Sequence, residues 1–336
     1  MNIAQIGAGY WGKNVLRVFS RLDGAALKVV CDADAVVLKR LKVDYPNVRL
    51  TAKAEEVFND STIDAVVVAT SSETHAELTR RALGSGKHVF VEKPLALSVK
   101  DAESVVKLAE TSRKVVMVGH LLKYHPAFVR VKEVIDRGDL GEIYYLYSTR
   151  VNLGIFRRNE NALWSLAPHD LSTALMFFKE KATAVSATGR CFLQKGIEDV
   201  AFVEIAFENG KMAHLHVSWL DPHKIRKVTV VGSERMAVID DMEPTEKVRI
   251  YDKGVSHVKE YTTYGEALAV RDGDISIPYI KMQEPLRLEC AHFIDCVEHN
   301  KRPNSDALDG LNVVRLLEAA DRSLKQEGQP ILLKSF

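Results

Sequence analysis

The first 120 residues alternate short apolar runs, which are typical of strands, with amphipathic segments, which are typical of helices. The apolar runs predict strands at Asn2–Ile6, Leu27–Cys31, Ala65–Ala69, His88–Val91 and Val115–Val118. The amphipathic segments predict helices at Thr74–Leu83 and Val99–Thr111. Because Ala65–Ala69 is apolar at every position, it is expected to be a parallel strand covered on both faces. This order of elements predicts an α/β fold with a doubly wound parallel sheet of the Rossmann type.

The pattern changes after Gly119, where longer alternating segments replace the short apolar runs. Predicted strands here are Glu142–Val151, Val200–Phe207, Lys211–Trp219, Val228–Val231 and Met236–Asp240. Predicted helices are Pro126–Arg137, Asp170–Phe178, Glu284–Glu298 and Asp306–Gln326, the last with Asp306 as its N-cap. Asn209-Gly210 predicts a tight hairpin, because both residues tolerate a positive φ. We therefore expect a first domain over residues 1–121 and a second, α+β domain over residues 122–336 with an open, mostly antiparallel sheet.

Composition and charge narrow the classes of function. A length of 336 residues suits two domains of ordinary size. A net charge of +1 argues against a nucleic-acid partner, which would need a basic excess. No apolar run is long enough to cross a bilayer and no secretory signal is present, so we expect no membrane association and a cytoplasmic location. The four cysteines are scattered without metal-ligand spacing, which predicts reduced thiols and no metal site.

A glycine-rich segment, Gly7–Gly12 with the sequence GAGYWG, directly follows the first predicted strand. In a dinucleotide site Gly7, Gly9 and Gly12 would allow a tight turn, close approach of a pyrophosphate and close packing of helix on strand. The helix N-terminus would present free N–H groups to the phosphates. Asp32 closes the second predicted strand, where a carboxylate accepts hydrogen bonds from the adenosine ribose and would repel a 2′-phosphate. The sequence therefore predicts NAD as the cofactor rather than NADP.

A charged segment, Glu92-Lys93-Pro94, follows the predicted strand His88–Val91 and so lies at the carboxyl edge of the sheet. Ligands bind at this edge in open α/β sheets. A lysine near a cationic nicotinamide ring would have its ammonium form disfavoured, so Lys93 could share or relay a proton. Lys93 is therefore a candidate catalytic residue.

The glycine-rich turn, Asp32, Glu92-Lys93-Pro94 and Gly119-His120 together resemble the Gfo/Idh/MocA oxidoreductase family, and the resemblance extends over essentially the whole chain. It implies that Lys93 contacts both the nicotinamide ribose and the substrate hydroxyl. Besides the glycines, Asp32 and Lys93, the cofactor contacts that it implies are Tyr10, Trp11, Thr70, Ser71, His75, Glu92 and His120.

The family's second signature is an aspartate followed four residues later by a histidine. The resemblance implies that His169 is the catalytic histidine, at the start of a helix for which Pro168 would suit the first position. Here Ser165 stands where the family has the aspartate, which removes a carboxylate that would raise the basicity of the imidazole.

The stretch from Asn152 to Asp170 resembles the nucleotide-sugar branch of this family, whose members oxidise UDP-N-acetylglucosamine or its uronic acid at C3. The resulting ketone is then the substrate of a PLP aminotransferase. Because a diphosphate needs cationic partners, the chain should supply arginine or lysine side chains. Candidate cations are Arg150, Arg157, Arg158, Lys224 and Arg226. Expected substrate contacts are Lys93, Tyr124, Arg150, Asn152, Arg157, Arg158, Trp164, Ser165 and His169.

Two other functions are consistent with the sequence. One is a dehydrogenase of free sugars or polyols of the inositol type, which would leave the arginine-rich segment unexplained. The other is a non-catalytic NAD-sensing protein on the same fold, since a fold does not fix a function. The presence of both Lys93 and His169 argues against the second alternative.

Both faces of the predicted strand Val200–Phe207 carry mostly apolar side chains. One face is expected to pack on the helix Asp170–Phe178, and the other on a second subunit. We therefore expect a homo-oligomer, as the family resemblance also implies, with a tetramer favoured over a dimer.

Overall fold

The computed structural model describes residues 1–154, 156–257 and 268–333, which form two compact units. The first unit contains Met1–Tyr124 and Gln283–Glu318, and the second contains the described parts of His125–Met282 and Ala319–Phe336. The sequence predicted a boundary between residues 121 and 122, with everything after it in the second domain. The segment Gln283–Glu318 instead packs with the first unit, because the apolar face of its first helix is buried there.

Within the described residues, the strands and helices have the following bounds. The strands are β1 (Asn2–Ile6), β2 (Ala26–Cys31), β3 (Arg49–Thr51), β4 (Ala65–Val68), β5 (His88–Val91), β6 (Val116–Val118), β7 (Ile143–Val151), β8 (Ala182–Arg190), β9 (Val200–Phe207), β10 (Met212–Ser218), β11 (Ile225–Gly232), β12 (Met236–Asp240), β13 (Val248–His257), β14 (Leu268–Ser276) and β15 (Ile331–Leu332). The helices are α1 (Gly12–Phe19), α2 (Ala35–Asp44), α3 (Ala54–Phe58), α4 (Ser72–Gly84), α5 (Val99–Ser112), α6 (Pro126–Asp136), α7 (Ala162–Phe177), α8 (Pro285–Glu298) and α9 (Ala307–Lys325). None of these helices combines the length and the apolar character needed to cross a membrane.

The first unit, all of whose residues are described, is built on a six-stranded parallel sheet in the order β3-β2-β1-β4-β5-β6. β4 is buried at every position, as its uninterrupted apolar sequence predicted. The strand order reverses between β1 and β4, which is the switch point of a doubly wound Rossmann sheet. The predicted α/β fold class is confirmed.

Three phenylalanines explain why α8 belongs to the first unit. Phe19 of α1, Phe90 of β5 and Phe293 of α8 contact one another edge to face, with ring centroids 5.6–6.2 Å apart. All three side chains are fully buried in one cluster with the apolar residues of β1 and β4. Edge-to-face packing of aromatic rings adds about 0.5–1.5 kcal/mol per pair to the burial of their surface. The helix is therefore part of the core beneath the parallel sheet.

The second unit is built on a nine-stranded sheet in the described residues, in the order β14-β13-β12-β11-β7-β10-β9-β8-β15. Neighbouring strands pair antiparallel except β7 and β10, which are parallel, so the predicted mostly antiparallel sheet is confirmed. The predicted hairpin between β9 and β10 is present, with Asn209 at φ 61° and Gly210 at φ 72°.

The helix α7 lies against β10, β7 and β9 on one face of this sheet. It begins earlier than predicted, because the Asn161 side chain accepts a hydrogen bond from the Trp164 N–H at 3.0 Å and caps the helix there. Pro168 therefore lies inside the helix and not at its start, which corrects the prediction. His169 consequently lies in the middle of a 16-residue helix.

Candidate active site

The glycine-rich turn between β1 and α1 has the geometry of a dinucleotide cradle. Gly7 has a φ of +92°, and a Cβ there would collide with the carbonyl oxygen of Ala69. A Cβ on Gly12 would lie 2.5 Å from the Gly7 carbonyl oxygen, so both glycines are required by close packing of the chain. A Cβ on Gly9 would meet nothing within 4 Å, which leaves the space where a pyrophosphate would approach.

Asp32, directly after β2, is tied to this turn. Its Oδ2 accepts a hydrogen bond from the Ala8 N–H at 2.7 Å, and its Oδ1 accepts one from the Asp34 N–H at 2.9 Å. A carboxylate has about four lone-pair positions, so each oxygen can still accept a ribose hydroxyl. The residues around the turn thus fit the adenosine half of a dinucleotide.

Trp11 and Glu92 connect the glycine-rich turn to the end of β5. The indole Nε1 of Trp11 donates to Oε1 of Glu92 at 2.7 Å. Glu92 is buried and its pKa is raised to about 7, because burial disfavours the charged form more than the Trp11 hydrogen bond and the charge of Lys93 favour it. Tyr10 and Trp11 are exposed beside it, whereas Lys93, the next residue along the chain, is partly exposed at the carboxyl edge.

Thr70 and Ser71 lie between β4 and α4, near the glycine-rich turn, and Ser71 is exposed. His75, in contrast, is only 2% exposed, and its ring nitrogens face the carbonyl oxygens of Pro94 at 2.8 Å and Thr70 at 3.2 Å. Burial lowers the pKa of His75. The neutral imidazole that this favours has one N–H, so it donates to one of the two carbonyl oxygens. The predicted cofactor contact of His75 stays a prediction.

His120 and Tyr124 follow β6, and both are buried rather than exposed at the edge. Nδ1 of His120 lies 2.7 Å from Oδ2 of Asp309 on α9, whose other carboxylate oxygen accepts from Lys123. The Tyr124 hydroxyl lies 3.1 Å from Oγ of Ser305, within the core of the first unit. Both side chains thus have a partner inside the protein, whereas Nε2 of His120 has no hydrogen-bond partner among the described residues. The predicted roles of His120 towards the cofactor and of Tyr124 towards the substrate stay predictions.

Arg150, at the end of β7, forms a buried ion pair with Asp170 on α7. Its Nε and Nη2 donate to the two carboxylate oxygens at 2.6 and 3.1 Å, and the side chains are 7% and 1% exposed. This bidentate pair engages Nε and one Nη nitrogen of the buried guanidinium and gives Arg150 a structural role, and its predicted substrate contact stays a prediction. Asp170 directly follows His169, so the ion pair fixes α7 to the sheet at the candidate base.

The other predicted substrate residues of the second unit lie on α7 or in the segment before it. On α7, Trp164 and His169 are partly exposed and Ser165 is buried. In the segment that leads from β7 into α7, Asn152 is partly exposed, and Arg157 and Arg158 are exposed. Nη1 of Arg157 forms an ion pair with Glu160 at 2.7 Å.

Sequence reasoning assigned no role to Asp170, Glu289 or Asp309, of which the first two have buried carboxyl groups and the third is 16% exposed. Glu289 could have been noticed as an acid on the apolar face of a helix, between Leu286 and Phe293. Asp170 and Asp309 gave no such signal, because their partners are distant in sequence.

Comparison with known families covers both units. The family model for the "Oxidoreductase family, NAD-binding Rossmann fold" matches residues 1–120, and the model for the "GFO/IDH/MocA C-terminal domain" matches residues 128–238. The scyllo-inositol 2-dehydrogenase (NAD(+)) of Bacillus subtilis (strain 168) is 27% identical over 83% of this chain and 80% of its own length.

Two solved structures have the same fold. The crystal structure of GenD2 from gentamicin A biosynthesis in complex with NAD has a TM-score of 0.83 and is 26% identical, covering 100% of this chain and 97% of that one. UDP-N-acetylglucosamine 3-dehydrogenase GnnA from Acidithiobacillus ferrooxidans has a TM-score of 0.80 over 97% of this chain and 98% of its own. At 20% identity, the second likeness concerns the fold alone.

Proposed function

The chain belongs to the GFO/IDH/MocA oxidoreductase family and is an NAD-dependent dehydrogenase of a sugar or polyol, and we propose that its substrate is a nucleotide sugar. The proposed reaction is oxidation of UDP-N-acetylglucosamine at C3 to the 3-keto form. The product is a ketone next to an acetamido group, which suits it to a PLP-dependent transamination as the following step.

The proposed chemistry assigns one role to each of two side chains. When bound, NAD would supply a nicotinamide ring that can accept a hydride from the sugar carbon. His169 takes the proton of the C3 hydroxyl, as the base of an alcohol oxidation requires. The ammonium of Lys93 stabilises the negative charge that develops on the same oxygen.

The observation that carries the nucleotide-sugar proposal is the pair of exposed arginines before α7. Arg157 and Arg158 lie 12 and 11 residues before His169, on the segment that leads into the same helix. A diphosphate without cationic partners would be costly to desolvate, whereas a free polyol needs no such partners. Between the neutral sugar and its uronic acid we propose the neutral one, because Trp164-Ser165 resembles that subgroup.

A polyol of the inositol type is the second candidate substrate. The observation in its favour is the scyllo-inositol dehydrogenase of Bacillus subtilis, whose similarity extends over four fifths of both chains. The two candidates differ in charge, so the arginines before α7 distinguish them.

Substituting Arg157 and Arg158 together by Gln is expected to raise KM for UDP-N-acetylglucosamine by about 10- to 100-fold, the effect of losing hydrogen bonds to a charged group. Binding of NAD should change little. Arg137→Gln is the matched control, because Arg137 is 49% exposed and pairs with Asp139 at 2.7 Å, much as Arg157 is 51% exposed and pairs with Glu160 at 2.7 Å. Initial rates of NADH formation with UDP-N-acetylglucosamine, its uronic acid and myo-inositol measure the effect. Ready oxidation of inositol with no activity on any UDP-sugar would refute the proposal.

We also propose that the chain is a homo-oligomer, with a tetramer favoured over a dimer. On β9, Ala201, Val203, Ile205 and Phe207 are buried on the side of α7. The opposite face of the sheet carries exposed apolar side chains at Tyr145, Tyr147, Phe202 and Met212. Exposed apolar patches of this kind on a sheet are typical of protein–protein interfaces.

Light scattering is expected to give four times the chain mass of 37.5 kDa. Phe202→Glu should lower this mass, because it places a charge in the apolar face. Val43→Glu is the control, since Val43 is 79% exposed on α2 of the first unit. A mass equal to one chain at working concentration would contradict the proposal.

A further inference from the structure

Two acidic side chains, Glu92 and Glu289, are buried in the first unit. Glu92 is 7% exposed and Glu289 is 1% exposed, and Oε1 of Glu289 has no hydrogen-bond partner among the described residues. Burial, and then the negative charge of Glu92, raise the pKa of Glu289 well above its ordinary value. Burial therefore favours the neutral form of Glu289.

The carboxyl group of Glu92 is held from two sides. Oε1 accepts the hydrogen bond from Trp11 Nε1 at 2.7 Å, and Oε2 lies against Gly119, where a Cβ would come within 3.0 Å of it. Any residue other than glycine at position 119 would crowd this oxygen. The structure thus keeps a carboxyl group in a confined place with one hydrogen-bond donor from the glycine-rich turn.

The ionisable groups around Glu92 come from three elements. Lys93 follows it in the chain, His75 approaches its backbone from α4, and Glu289 and Cys290 face it from α8. Burial lowers the pKa of His75 and raises the pKa values of Cys290 and Glu289, so it favours the neutral form of each. The pKa of Glu92 is about 7, so its charge changes near neutral pH.

The position of Glu92 in the sheet relates it to one half of the cofactor. Asp32 directly follows β2, on the side of the switch point where the adenosine ribose binds. Glu92 directly follows β5, on the other side of the switch point, which is the half of the sheet that receives the nicotinamide. A buried charge at this place acts on a ring that is cationic when oxidised and neutral when reduced.

We propose that Glu92 is an electrostatic positioning residue that makes the first unit bind NAD⁺ in preference to NADH, and that it gives up its proton when NAD⁺ binds. The O–H bond of the carboxylic acid breaks and the proton passes to solvent, with no change in the oxidation state of any group. NADH carries no ring charge, so its binding leaves the proton in place. The proposal concerns the cofactor alone and does not depend on the identity of the sugar.

Proton release on cofactor binding tests this proposal without any turnover. Calorimetric titration in buffers of different ionisation enthalpy should give about one proton released per NAD⁺ at pH 6 and about 0.1 at pH 8, since Glu92 is mostly ionised above its pKa. Titration with NADH should release almost none at either pH. Equal release with both forms of the cofactor would overturn the proposal.

Three variants separate the charge of Glu92 from its hydrogen bond. In Glu92→Gln the amide oxygen can still accept the hydrogen bond from Trp11, so NADH should still bind. Proton release on NAD⁺ binding should vanish, and the ratio Kd(NADH)/Kd(NAD⁺) at pH 8 should fall about tenfold. In Trp11→Phe the carboxyl group remains, so release should persist with its midpoint at higher pH. Glu289→Gln is the matched control and should leave release unchanged, because burial already favours the neutral form of Glu289. Proton release that persists undiminished in Glu92→Gln would assign it to another group and contradict the proposal.

Discussion

Replacing His169 by Ala, or Lys93 by Met, is expected to lower kcat by about 100-fold or more while NAD binds nearly as before. Alcohol oxidation requires a base for the hydroxyl proton and a positive charge near the oxygen that loses it, and each variant removes one of the two. His169 belongs to α7 of the second unit, whereas the glycine-rich turn belongs to the first, so its loss should not alter the NAD cradle.

Steady-state rates with the preferred sugar, together with NAD titrations, measure this effect. His299→Ala and Lys107→Met are suitable controls, because they remove an exposed imidazole and an exposed ammonium from the first unit and should leave kcat unchanged. A variant of His169 or Lys93 that keeps nearly full kcat would show that its proposed role is wrong. Tight NAD binding by the unmodified protein without turnover of any sugar would instead favour a non-catalytic, NAD-sensing protein.

The sequence predicted the elements in which the hydrophobic pattern repeats several times, or which begin at a recognisable capping residue. The bounds of β1 and β5 match the prediction, and Asp306 caps α9 by accepting a hydrogen bond from the Asp309 N–H at 2.8 Å. The strand β3 and the helix α3 were not predicted, because three and five residues are too few to establish a period. The early start of α7 was missed because Pro168 suggested a first helical position, whereas the Asn161 cap determined it.

Candidate site residues could be predicted where the requirement was local. Gly7 and Gly12 are required because a Cβ at either position would collide with the backbone, either a few residues away or after the neighbouring strand. A short sequence motif describes such a local requirement. The roles of Arg150, His120 and Tyr124 depend on Asp170, Asp309 and Ser305, which are 20, 189 and 181 residues away. No spacing rule connects such distant pairs, so the sequence could not show that these polar side chains were already paired.

The buried ion pair of Arg150 and Asp170 gives the second large expected effect. Arg150→Met should lower the free energy of unfolding by about 3–5 kcal/mol, because it leaves the 1%-exposed carboxylate of Asp170 without a counter-charge. A loss of this size should lower the melting temperature by about 6–20 °C. Chemical denaturation and calorimetry measure the two quantities. Arg226→Met is the matched control. Arg226 lies opposite Arg150 in the backbone register of β11 and β7, but its side chain is 41% exposed and lies 3.8 Å from the carboxylate of Asp241. Arg226→Met should lower the free energy of unfolding by less than about 1 kcal/mol.

A double variant, Arg150→Met with Asp170→Leu, distinguishes the cost of an unpaired charge from the loss of a favourable contact. Replacing a buried ion pair by apolar residues of similar volume is often neutral, so the double variant should recover most of the stability that Arg150→Met loses. If Arg150→Met alone costs less than about 1 kcal/mol, water must reach Asp170 and the pair is not buried in solution. Recovery of stability without recovery of kcat would show that the ion pair positions α7, and with it the neighbouring His169, more accurately than apolar packing can.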